Sequence, residues 1–413
     1  MQHREKSYDF RKELMQVHKA DRRILELTAK DDEIELPDGL CILLPKEENI
    51  VITTAAKDFA DYLRVSMCIT ASVSSKPLKN VFTITLTINK DIEDASGYMG
   101  YRITANPNGI LIEGWHDKGI AQALYYLEDI MNIRRAPFLR IGTIKRKAIF
   151  ERRFTQSPMG YMQYTDEMLS LIAHYGMDCI FVWAKDMEWD YKNFHYDLPA
   201  LCDRAEKYGI DVYLESYIRH DKHPEDEGAE EYYDNLYGKM FSQCPKLKGI
   251  SLSGEAQRFY SHDPNAQTPE ERAVEDNLLK TKPNPGWWPC RDYPEWVKMI
   301  KKAASKYRPD VDICFSTYNW SYVDEVPRLE LLRNMPKDVS ISPTWDITGR
   351  LDFGEVKTTW QTIRSAISAR ASVLQARQKP QKKAGFVFTA TVSYQEERGT
   401  LALFPMSQCL ISG

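Results

Sequence analysis

Lys248-Gly249-Ile250-Ser251-Leu252-Ser253-Gly254-Glu255-Ala256-Gln257 reads as a short apolar strand that runs into small residues and then delivers one carboxylate. Three rounds of strand-like and helix-like sequence precede it. In a parallel α/β barrel, the C-terminal ends of the strands carry the chemistry. A glutamate just past such an end is a candidate general acid or base. In any other context the same glutamate is a solvated loop residue, so the flanking segments decide its meaning.

Upstream, residues 148–154 open a series of strands, and 165–175 fit a helix closed by Gly176. Asp178-Cys179-Ile180-Phe181-Val182-Trp183 is a near-continuous apolar strand. A helix over 198–208, closed by Gly209, leads into Ile210-Asp211-Val212-Tyr213-Leu214-Glu215, and a helix over 230–241 leads to the quoted strand. Downstream, a long irregular segment over 262–291 is followed by a helix over 294–307. A fifth strand over 311–316 ends in Thr317-Tyr318-Asn319-Trp320. A helix over 328–335 precedes a sixth strand over 339–343, which ends in Thr344-Trp345-Asp346. Helix, glycine, strand punctuation around continuous apolar strands indicates parallel βα units. An open doubly wound sheet would carry a Gly-rich phosphate loop after its first strand, and residues 153–160 carry none. The expected fold class is α/β, a (β/α)8 TIM-like barrel over 146–352.

Before the barrel, residues 8–29 read as a charged amphipathic helix, giving an N-terminal helical appendage over 1–34. Residues 39–45 form a strand, 54–65 a helix, and 80–88 alternate with period two as a half-buried strand. Two further strands, 101–105 and 109–114, flank the turn Asn106-Pro107-Asn108-Gly109, and a helix follows over 117–130. Together, 35–145 make a small α+β domain.

The 413 residues are 43% hydrophobic and 28% charged with a net charge of −4, as in an ordinary globular protein. No Lys/Arg block argues for nucleic acid. No apolar run reaches the roughly 20 residues of a membrane span. The charged start lacks a signal-peptide core. Eight cysteines without a CxxC pair read as reduced core residues of a cytoplasmic protein, with no structural zinc expected. No cofactor is implied, and His220, His223 and Glu225 share no helical face that would hold a metal. The 9 Trp and 23 Tyr suit a sugar-binding cleft, because sugar rings present flat apolar faces to aromatic rings.

The segment Gly109-Ile110-Leu111-Ile112-Glu113-Gly114, then Gly119-Ile120-Ala121 and Tyr125-Tyr126-Leu127, resembles the N-terminal domain shared by bacterial β-N-acetylhexosaminidases and α-glucuronidases. In those glycoside hydrolases a catalytic (β/α)8 barrel follows directly, and the order here is the same over residues 35–350. The resemblance implies a carbohydrate substrate and makes Glu255 the general acid. Hexosaminidases carry an adjacent Asp-Glu at this strand. Gly254 stands in the place of that Asp, which argues against substrate-assisted chemistry. The α-glucuronidase pattern, Ser-Glu-Gly, is nearer to Ser253-Gly254-Glu255 without matching it.

A glycosidase needs a second carboxyl group as base or nucleophile. Asp346 is first by position and Glu215 second; as structural groups they would cap a helix or pair with an arginine. Arg153, Trp183, Asp186, Tyr318, Asn319 and Trp320 are the expected substrate-binding residues, with core packing or ion pairing as the alternative for each. Trp287-Trp288 lie in the long insertion that would roof the site. The reading is an exo-acting glycoside hydrolase; the alternative is a non-catalytic carbohydrate-binding protein on the same scaffold.

Residues 353–413 fit this pattern poorly. They contain no Asp and three Glu, and 365–381 are rich in Arg, Gln, Ser and Ala. A seventh strand over 385–389 is expected, but the segment is too short for two normal βα units. Such a tail is expected of a truncated or frame-shifted gene, with a barrel incomplete at its C-terminus.

Overall fold

The structure is a computed structural model that describes residues 15–148, 152–156, 164–184, 197–217, 220, 222–253, 261–268, 271, 291–316, 325–342, 351–353, 356–358 and 388–389. The chain divides into two compact units. The first comprises residues 1–151, 164–178 and 203–210, and the second 152–163, 179–202 and 211–413.

The first unit holds a two-stranded ribbon and a six-stranded sheet. The ribbon pairs β1 (Glu33–Glu35) with β7 (Phe138–Arg140). The sheet contains β2 (Leu40–Leu43), β3 (Ala71–Ser74), β4 (Thr83–Ile88), β5 (Tyr101–Asn106), β6 (Gly109–Gly114) and β8 (Gly142–Arg146), in the order β3-β2-β4-β6-β5-β8. Its first three pairings are parallel and its last two antiparallel. The expected hairpin is β5–β6, closed by Asn106↔Gly109. Two helices, α1 (Ile50–Ser66) and α2 (Asp117–Arg134), pack on each other and on the sheet. Asn49 caps α1 by accepting a hydrogen bond from the Ile52 amide. Phe59, Leu63, Ile120 and Leu124 form the buried helical stripe.

Of the helix expected over 8–29, Met15 is helical and residues 16–29 run as turns and irregular chain, while 8–14 lie outside the described residues. Helix termini hold this segment in place. Arg23 donates to the Met67 carbonyl at the end of α1, and Arg135, the residue that closes α2, donates to the Asp21 carbonyl of the segment. The orphan carbonyls at a helix end attract such cations. Arg23, part of the charge pattern that reads as helical, thus reaches the end of another helix.

The second unit contains a seven-stranded parallel sheet: β9 (Arg153–Gln156), β10 (Cys179–Ala184), β11 (Asp211–Tyr217), β12 (Gly249–Ser253), β13 (Asp312–Ser316), β14 (Ser340–Ser342) and β17 (Phe388–Thr389). β9 to β14 lie in chain order, as successive right-handed βα units require. The intervening helices α3 (Asp166–His174), α4 (Leu198–Lys207), α7 (Tyr293–Ser305) and α8 (Glu325–Asn334) fall where the sequence places them. Gly176 and Gly209 take φ of 74° and 67°, the left-handed conformation that ends a helix and that glycine adopts without strain. β17 confirms a strand near 385–389, but it pairs with β9 on the flank away from β10. Among the described residues the sheet stays open, with no pairing between β14 and β17. A short antiparallel ribbon, β15 (Leu351–Phe353) with β16 (Val356–Thr358), lies outside it.

The helix expected over 230–241 is broken in two. α5 (Ala229–Tyr233) passes through a π-turn (Asp234–Gly238) into α6 (Lys239–Gln243). Gly238 lies against the Tyr307 ring, where a Cβ would approach within 2.6 Å. The wide turn leaves Tyr233 and Tyr237 fully buried. No helix of the described residues is long and apolar enough to cross a membrane. Cys41, Cys179, Cys202, Cys244 and Cys314 are buried, while Cys68 is exposed.

Candidate functional site

The second unit's sheet has two faces with different jobs. Ser216 meets Tyr237 of the π-turn at 3.0 Å, and Phe315 meets Tyr293 of α7, so this parity faces the helices. The other parity carries Phe154, Cys179, Phe181, Tyr213 and Cys314, which pack together. Phe154 and Phe181 stack at 4.3 Å, and Tyr213 meets Phe154 edge-on at 4.8 Å. Gly249 permits this layer: a Cβ there would strike the Asp312 carbonyl oxygen and come within 2.6 Å of the Tyr213 ring.

Below the aromatic layer sits a polar floor. Arg152 pairs with Asp312 at 2.6 Å and donates to Ser340 at 2.7 Å, while the Tyr213 hydroxyl donates to Asp312 at 2.8 Å. Arg152 holds a left-handed φ of 65°, which costs a non-glycine residue about 1–2 kcal/mol. Burial pulls its pKa down most strongly, but Asp312, Tyr213 and the nearby Cys179 and Cys314 thiols together raise it above the usual value. Sequence reading put Arg153 at the end of strand one; it is instead the first residue of β9, paired with Phe388. The brace on the floor comes from its neighbour Arg152, where conservation of structure rather than catalysis is the usual role.

Above the aromatic layer the register aligns Trp183, Glu215, Ser251 and Cys314. Glu215 shares the parity of Tyr213, so it points to the face away from the helices. Its charge reaches Cys314, whose thiol is pushed well up, mainly by burial. Glu215 is half-buried, two residues before the end of β11. β12 ends at Ser253, aligned with Tyr217 and Ser316. Glu255, Asp186, Tyr318, Asn319, Trp320, Asp346 and the Trp287-Trp288 pair lie outside the described residues.

Beyond β11, the chain brings His223 and Glu225 to His262, a partner the sequence did not suggest. The two imidazoles stack at 3.6 Å, His262 lies 2.7 Å from Glu225, and His223 lies 3.4 Å from Asp292. The three side chains offer atoms close enough to share a cation. Residues 261–268 also line an open pocket of about 200 Å³ that includes His262, Gln267 and Thr268. His220 is not part of this group. It is buried among Tyr232, Tyr233, Tyr237 and Trp296, 2.5 Å from the Tyr237 hydroxyl. Burial alone drives its pKa down to about 3.

No protein-family model and no curated protein matches this sequence. Solved structures do. CpGH84D aligns over 88% of this chain at 11% identity with a TM-score of 0.55. CpGH84B aligns over 87% at 13% identity and 0.52. The β-N-acetylhexosaminidase from Bacteroides fragilis NCTC 9343 aligns over 87% at 11% identity and 0.51. The chain spans 59%, 60% and 74% of those three structures, respectively. These neighbours are glycoside hydrolases. At such identity the likeness is one of fold: a mixed α/β chain whose second unit is a TIM-like parallel sheet.

Proposed function

We propose that the chain hydrolyses an O-glycosidic bond by exo-action, with Glu255 as general acid and Glu215 as the second carboxyl group. The observation that carries this reading is the placement of Glu215. It stands above the aromatic layer on the face away from the helices, on the strand paired with β12. Glu255 follows Ser253, the last residue of β12, by two positions in the sequence. The glycoside hydrolase neighbours support a carbohydrate substrate.

In the proposed reaction the Glu255 carboxylic acid gives its proton to the leaving oxygen as the C–O bond breaks. The Glu215 carboxylate either attacks the anomeric carbon or takes a proton from an attacking water. A carboxyl separation near 5 Å selects the first course and about 6.5–9.5 Å the second. Gly254 supplies no carboxylate to orient an N-acetyl group, so both catalytic carboxyl groups come from the protein.

The test is a panel of nitrophenyl pyranosides, including an N-acetylglucosaminide and a glucuronide. Glu255→Gln should lower turnover by about 10²–10⁴-fold. Glu215→Gln should fall comparably, while Asp346→Asn keeps most activity; the reverse order would move the second role to Asp346. A uronide preference supports the α-glucuronidase-like pattern. A folded parent that hydrolyses no member of the panel refutes the enzyme reading, and sugar binding without hydrolysis selects the binding protein instead.

A further inference from the structure

Four titratable side chains from four separate segments of the first unit converge on one point. His18 comes from the irregular N-terminal stretch, Asp58 from α1, Glu128 from α2 and His174 from the end of α3. Their side chains are 10%, 20%, 3% and 10% exposed, so the point is inside the protein. His18 Nε2 lies 3.5 Å from Asp58 Oδ2 and 3.7 Å from Glu128 Oε2. His174 Nε2 lies 2.9 Å and 3.3 Å from the same two oxygens. All four donor atoms fall within 4.8 Å of one another. Both Nε2 atoms, Asp58 Oδ2 and Glu128 Oε1 are buried and lack aligned hydrogen-bond partners.

We propose that this quartet is a structural Zn²⁺ site, with His18 Nε2, His174 Nε2, Asp58 and Glu128 as its four ligands. Zinc bound tetrahedrally at about 2.0–2.1 Å from each ligand sets neighbouring donor atoms about 3.3 Å apart. The four observed separations, 2.9–3.7 Å, bracket that length. The imidazoles are oriented for it. His174 Nδ1 lies 2.7 Å from the Ser170 carbonyl, which only accepts, so Nδ1 carries a proton and Nε2 is the nitrogen turned to the two carboxylates. His18 Nδ1 lies 3.0 Å from Asp61, which orients it in the same way. A ligating imidazole is held by such a contact from its other nitrogen. Tyr125 packs at a tilt on the His174 ring at 4.0 Å and Tyr62 meets the His18 ring edge-on at 5.6 Å. Among the described residues, the ion-pair partners of Asp58 and Glu128 are these two imidazoles, with no Lys or Arg. Two carboxylates and two neutral imidazoles leave a charge of −2, which one divalent cation cancels. Mixed imidazole and carboxylate donors suit zinc over magnesium or calcium. The ion would tie the N-terminal stretch and α3 to the paired helices α1 and α2.

The competing arrangement is a metal-free ion-pair network with both imidazoles protonated. Elemental analysis of the whole chain, equilibrated with micromolar Zn²⁺ and desalted, separates the two. About one zinc per chain is expected, removable by chelator with a fall of several degrees in the thermal midpoint. Co²⁺ loading of the unmutated chain should give the intense visible bands of a tetrahedral ion, displaced by Zn²⁺. Asp58→Asn, which keeps the side chain's shape, and His174→Ala should each weaken zinc binding at least about tenfold. The double variant His223→Ala/His262→Ala should bind as the parent does. A folded parent holding less than about a tenth of an equivalent of zinc overturns the proposal. So does zinc that survives Asp58→Asn and His174→Ala but leaves with His223 and His262.

Discussion

Acidification should destabilise this protein through His220 in a way that a single substitution removes. His220 is 1% exposed, and burial lowers its pKa from 6.5 to about 3. The folded state therefore keeps the imidazole neutral while the unfolded chain takes up a proton below pH 6.5. The stabilisation is fully present above 6.5 and drains away as pH falls toward 3. Linkage gives a slope of about 1.4 kcal/mol per pH unit inside that window. The loss is about 2 kcal/mol at pH 5 relative to pH 7.5. His220→Phe keeps a ring among Tyr232, Tyr233, Tyr237 and Trp296 but has nothing to titrate. It loses the 2.5 Å contact to the Tyr237 hydroxyl, which keeps Ser216 at 3.0 Å, so its cost at pH 7.5 is about 1 kcal/mol. The two proteins should exchange order: the parent more stable by about 1 kcal/mol at pH 7.5 and less stable by about 1 kcal/mol at pH 5. Urea unfolding followed by tryptophan emission at both pH values measures this, and contributions from other groups cancel in the difference. A gap that stays constant between pH 7.5 and 5 would mean that His220 is not held neutral, and the burial argument fails.

Gly249→Ala should destabilise by about 3 kcal/mol or more, at the upper end of overpacking costs, because its Cβ meets the Asp312 backbone, which has no room to yield; denaturant unfolding measures it. Removing either partner of the Arg152–Asp312 pair should cost about 2–4 kcal/mol, and Arg152→Met with Asp312→Leu should recover a good part of that in a double-mutant cycle. Thr165→Ala removes the side-chain cap accepted from the Met168 amide and should cost about 1 kcal/mol in the same assay.

The strands of the second unit were legible because burial on both faces forces continuous apolar sequence. Cys179–Ala184 and Asp312–Ser316 are read correctly to within a residue or two for that reason. Glycines at Gly176 and Gly209 mark helix ends because only a left-handed residue closes those turns cheaply. Over 16–29 the helical reading misled because Arg23 fits a helical charge pattern but binds the end of α1. The π-turn at Asp234–Gly238 is equally hidden, since Gly238 and Asp234 meet Tyr307 from about 70 residues away, a contact no local spacing announces. Strand parity is different in kind. Knowing that Tyr213 faces one way is enough to place Glu215, and sequence alone supplies the alternation but not which face the helices cover.

That difference explains why one candidate site could be read and the other could not. A carboxylate at a strand end inherits its position from a local, repeating element, so Glu215 and Glu255 can be nominated from segments a few residues long. His18, Asp58, Glu128 and His174 are each unremarkable within their own segments, one in an irregular stretch and three on helices. Sequence separations of 40 to 70 residues between successive members leave no spacing to recognise. What makes them a group is the first unit's inclusion of residues 164–178, which a division by strand and helix alternation assigns to the barrel. The zinc proposal therefore depends on a tertiary boundary that chain order conceals, and the metal analysis with Asp58→Asn tests that boundary as directly as it tests the ion.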